Sequence, residues 1–154
     1  MIFDPEIYCS AAEVAELDGT EPLTLTGSGL WVGVLSRGEC LLDGFDRPGQ
    51  SGDILRGAPP LTLTPETDCH LLGVRLAGRC TDAYLLQLGA PRWADGAACP
   101  GAAELLAQLH GVRTPAMAYA LLCAIDRADE TARPLPPLVA EAVAAIRQNY
   151  MALY

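Results

Sequence analysis

The stretch "GLWVGVLSRGECLLDG", residues 29–44, decides how this chain folds. From Leu30 to Leu35 its positions are apolar on both faces or carry glycine. A strand with one wet face alternates apolar and polar residues, so this run reads as a strand inside a barrel or sandwich. "RG" at 37–38 then turns the chain into "ECLLDG". The preceding "GSG" lies before a strand, whereas a phosphate-binding loop follows a strand and opens a helix. These glycines therefore read as a turn, and Gly33 as a close approach or bulge.

Similar short runs surround this stretch. "PLTLTG" (22–27) is a strand with Leu23 and Leu25 on one face. "FDRPGQSGD" (45–53) is a loop, followed by "ILRG", "APPLTLTPETD" and the long strand "CHLLGVRLAG" (69–78). Regular short strands joined by Gly and Pro turns predict a small antiparallel barrel or jelly roll. Eleven of the 15 glycines lie at or before Gly78 and 19 of the 24 alanines after it, so the β-rich half gives way to an α-rich one.

The second half predicts helices over 81–89, 101–111 and 114–129. Thr81 and Thr114 are N-cap candidates, with Pro115 at the first helical position. Residues Met117, Leu121, Ile125 and Ala128 stripe the third helix, with Ala118 and Leu122 alongside. "RADETARPLPP" is a polar, proline-bearing linker. In "PLPPLVAEAVAAIRQNYMALY" (134–154), Pro136 and Pro137 open a further helix striped by Val139, Val143, Ile146 and Tyr150.

The 154 residues are 51% hydrophobic, enough for one domain or for one core with a helical annex. No apolar run approaches a membrane span, and the N-terminus lacks the basic and apolar regions of a signal peptide, so a cytoplasmic location is expected. Six scattered cysteines form no CxxC or zinc-ribbon spacing and read as reduced, mostly buried thiols. A net charge of −9 opposes direct binding to DNA phosphates.

Iron, manganese or zinc in a small barrel calls for two His one residue apart, a nearby Glu and a later His. Here His70 and His110 stand in different halves, so no metal or cofactor is expected. In "DCH" (68–70), Cys69 and His70 point to opposite faces of a strand, which disfavours a Cys–His nucleophile. Trp31 and Gly33 share a face, and an aromatic beside a position without a side chain leaves room for a small ligand; plain core packing accounts for Trp31 equally well. Arg56, His70 and Arg75 are the candidate polar contacts to such a ligand, with Tyr8 closing the site from the N-terminal segment. No catalytic residue is assigned.

Taken together, "VLSRGECLLDG", "GDILRGAPP", the strand ending "GVRLAG", the helices, the linker and "PLVAEAVAAIRQNY" resemble the AraC family of bacterial transcription regulators. The resemblance implies an α+β fold, with a cupin-like sensing barrel over 1–78 and a helical dimerisation region over 79–133. Residues 134–154 would then be a linker and the first helix of a DNA-binding domain. It also implies a small-molecule effector, a homodimer through Met117, Leu121 and Ile125, and DNA contact only through helix-turn-helix motifs beyond Tyr154. The competing expectation is a free-standing, metal-independent cupin, either an isomerase or a carbohydrate-binding protein.

Overall fold

The computed structural model describes residues 4–132, so the expected closing helix over 134–154 lies outside the described residues. The fold is α+β. Its strands are β1 (Ser10–Gly19), β2 (Leu23–Leu25), β3 (Leu30–Arg37), β4 (Cys40–Leu42), β5 (Ile54–Gly57), β6 (Leu61–Pro65), β7 (Cys69–Ala77) and β8 (Arg92–Ala94). Helices α1 (Arg79–Leu88), α2 (Ala102–Gly111) and α3 (Pro115–Ala132) complete it.

The strands make two antiparallel sheets, one in the order β1-β7-β3-β5-β8 and one in the order β2-β6-β4. The sheets do not close into a barrel. The "RG" turn instead carries the chain from one sheet to the other, with Gly38 at φ +86°.

The double apolar face of β3 follows from three layers. Trp31 and Leu35 join Leu55, Leu61, Leu63 and Leu71 between the two sheets. Leu30, Val32 and Val34 face the other way, packing with Leu106, Leu109, Leu121 and Ile125 from the helices. Every residue from Leu30 to Leu35 is buried. Strands and helices thus share the second of these two cores, and the helical half is a layer of the same body as the strands.

Two strands depart from the sequence expectation. β1, the longest, has the composition "SAAEVAELDG", which carries helix formers. Its pairing along β7, from Ser10↔Ala77 to Gly19↔Cys69 with one irregularity, outweighs that local preference. β8 lies in the alanine-rich half and extends the larger sheet through Leu55↔Trp93. The helices fall within a few residues of their expected bounds. Thr114 Oγ1 accepts from Met117 N at 3.2 Å, as its capping role requires. Thr81 is not a cap: α1 starts earlier, from Gly78, and Thr81 is buried in its first turn.

Candidate functional site

The expected pocket beside Trp31 is filled. A Cβ placed on Gly33 would lie 3.2 Å from Leu71 Cδ2, so the space left by the glycine already belongs to a leucine. Gly33 pairs with Gly73, and the Trp31 ring covers the latter at 3.6 Å from the equivalent built position. The indole N–H of Trp31 donates to the Thr26 carbonyl at 2.8 Å, leaving the side chain only 1% exposed. Trp31 is core.

The polar candidates are dispersed by the fold. Arg75 donates to Glu13 Oε2 at 3.0 Å and to the Ser28 carbonyl at 2.9 Å, fastening the β2–β3 turn to the edge of the sheet. His70 bridges Ser36 Oγ, 2.6 Å from Nδ1, and Glu16 Oε1, 2.8 Å from Nε2. With Nε2 protonated, the ring donates to Glu16 and accepts from Ser36. Nucleophilic chemistry would also need a concave seat for substrate. Ser36 is exposed at the end of β3 and lines neither groove of the helical side. Arg56 is buried on β5, where Nη1 donates to the Tyr84 hydroxyl of α1 at 3.2 Å. His110 donates from Nε2 to the Gly73 carbonyl at 3.0 Å, tying the end of α2 to β7. Among the described residues, no group of three or more His, Cys, Asp or Glu is arranged to hold a metal ion.

Of the five sequence candidates, Tyr8 lines an open hollow. Its backbone carbonyl accepts from Cys80 N at 2.9 Å, fixing the N-terminal segment to the start of α1. This approach requires Gly78, at φ +121°, because a Cβ there would meet the backbone of Tyr8 and Cys9. The resulting hollow, about 550 Å³, is walled by Tyr8 and Cys9, by Cys80 of α1, and by Pro115, Ala116 and Tyr119 of α3. Past Cys80 and Tyr119 it adjoins a second groove of about 290 Å³ between α1 and α3, where Tyr84, Leu122, Cys123 and Asp126 form the walls. Arg56 stands behind this wall, holding Tyr84.

Three thiols share the trough. Burial pushes the Cys9 thiol up, a hydrogen bond with Thr81 opposes this, and the nearby Cys80 and Cys123 add to the rise. The Tyr119 phenol is also raised, first by its hydrogen bond with Cys123 and then by the thiols around it. The cysteines were expected to be mostly buried. Cys9, Cys40, Cys69 and Cys99 are, but Cys80 is half-buried and Cys123 exposed. The available signal was the position of Tyr119 and Cys123, four residues apart and off the apolar stripe of α3.

The dimer candidates also need correction. Leu121 and Ile125 are fully buried in the chain's own core, and Met117 is half-buried against it. Their helical spacing reflects the face that α3 lays on the sheet. The outward face carries Ala116, Tyr119, Ala120 and Cys123 instead.

No protein-family model matches this chain, and no curated protein matches it. No helix among the described residues is long and apolar enough to cross a membrane.

Proposed function

We propose that the chain is a ligand-sensing module of the kind the AraC-type resemblance implies, with its effector seated between the N-terminal segment, α1 and α3. The observation that carries this reading is the hollow of about 550 Å³ walled by Tyr8, Pro115 and Tyr119. Its size suits a small molecule, and aromatic walls favour a ligand with a substantial apolar part. The seat moves from the barrel interior of the sequence expectation because side chains already occupy the space between the sheets.

This position also suits signalling. α3 forms one wall and leads in sequence toward the segment that the resemblance assigns to DNA binding. A ligand that prefers one setting of α3 shifts the population toward it. Pairing of two copies through this helix would use Ala120 and the exposed positions around it that line neither hollow, since the inward stripe is consumed by the core. A net charge of −9 supports leaving DNA contact to a segment beyond Tyr154.

Anilinonaphthalene sulfonate fluorescence tests the site directly. The dye should brighten on the folded protein, and Tyr119→Ala should weaken its binding while circular dichroism is unchanged. Metabolites that displace the dye should also raise the melting temperature. Dye binding unaffected by changes at both Tyr8 and Tyr119 would overturn the assignment. Tight, salt-sensitive DNA binding by residues 1–154 alone would overturn the division of labour.

A further inference from the structure

All six cysteines of the chain are described, and they divide sharply by location. Cys40 and Cys69 are sealed between the sheets, and Cys99, also buried, lines a separate hollow with Asp95, Gly101 and Glu104. The other three open on one trough: Cys9 and Cys80 line its first hollow, and Cys80 and Cys123 its second. Both thiols that are not buried, Cys80 and Cys123, therefore lie against the same aromatic walls.

We propose that this trough captures apolar soft electrophiles, carbonyl compounds with a conjugated carbon–carbon double bond such as enones and quinones, and that Cys123 is the attacking thiol. The proposal rests on the effector site argued above and names the chemical class it takes. Thiolate sulfur is the soft nucleophile that such alkenes accept. Cys123 is the exposed thiol of the set, and its neighbour Tyr119 presents a flat apolar face on which a conjugated ring can lie. Cys80, across the groove on α1, offers a second thiol to a ligand with a second reactive carbon.

The step balances without an added oxidant or reductant. Cys123 loses its proton to solvent, and its sulfur forms a bond to the β carbon of the alkene. The π pair moves to the carbonyl oxygen as an enolate, and one proton returns from solvent to the α carbon. With a quinone, the ring carbon that takes the sulfur then releases its hydrogen as a proton, both oxygens take up a proton from solvent, and the product is a hydroquinone thioether.

The kinetics of labelling by menadione, followed by intact mass and peptide mapping on the full chain, distinguish a built site from a merely accessible thiol. A binding site gives a rate at Cys123 that saturates with menadione concentration, whereas iodoacetamide, which the aromatic walls do not hold, reacts in proportion to its concentration. Tyr119→Ala should cut the labelling efficiency at low menadione about tenfold, through loss of one aromatic contact. Cys123→Ser should abolish the saturating phase with the fold intact by circular dichroism. A linear menadione dependence at the rate of free glutathione would overturn the proposal, as would saturable labelling confined to Cys80. If linear kinetics accompany normal dye binding, only the covalent chemistry falls. If the dye also fails to bind, the effector site falls with it.

Discussion

The hydroxyl of Tyr84 on α1 accepts a 3.2 Å hydrogen bond from Nη1 of Arg56, a guanidinium buried on β5. Arg56 faces the helix layer, and Tyr84 turns its other side toward the groove. The pair links the sheet to the wall of the candidate site. Tyr84→Phe keeps the ring but removes an acceptor from a buried charge. It should cost about 1–3 kcal/mol, measured by urea denaturation. A loss near zero would show that the bond does not hold this wall.

Trp31 should behave as structure. Trp31→Ala removes one of the two tryptophans from the core between the sheets and should destabilise the fold by about 3–5 kcal/mol. Dye binding per folded molecule should stay at the wild-type level, because the trough lies on the opposite face of the larger sheet. Selective loss of dye affinity would return Trp31 to the binding site.

Leu121→Glu should unfold the protein. Leu121 is 0% exposed, and an unpaired carboxylate there is expected to cost about 3–5 kcal/mol. Ala120→Glu, on the outward face of α3, should leave the circular dichroism spectrum unchanged. If two copies pair through this face, light scattering of that variant should report monomers where the wild type is dimeric.

Alkaline pH should weaken the fold through its sealed thiols. Burial is the first cause that pushes Cys40 from 9.0 to about 12, and it also raises Cys69. The unfolded chain ionises these thiols at their ordinary value, while the folded chain holds them neutral. Their stabilisation is therefore complete below about pH 9 and declines as pH rises toward 12, by at most about 1.4 kcal/mol per pH unit for each thiol. Cys40→Ala should flatten that decline in urea titrations between pH 8 and 11, despite lowering stability at neutral pH. An unchanged slope would assign the alkaline loss to other groups.

The parts of this fold that were legible in the sequence are those where local pattern and tertiary role agree. The bilateral apolar run of β3, the capped start of α3 and the break between glycine-rich and alanine-rich halves all carry their reason in nearby residues. β1 does not, because its strand state comes from pairing with residues fifty or more positions away. The same limit applies to the candidate site. Tyr8 was visible as an aromatic near the N-terminus, but its neighbours Cys80 and Tyr119 meet it only after three separate segments are brought together. Gly33 shows the reverse error: a missing side chain suggests space, yet Leu71 from β7 fills it.

The doubly covered strand β3 has a consequence for synthesis. Its core, "LWVGVL", has no charge, no proline and strong β-formers, the composition of a segment that zips with copies of itself. Both sheet neighbours, β5 and β7, come later in the chain, so β3 leaves the ribosome before anything can pair with it. Arg37 and Glu39, just beyond the run, are the first charges able to act as gatekeepers. Slower translation between Leu35 and Ala77 should therefore lower the soluble yield, with the mature fold unchanged.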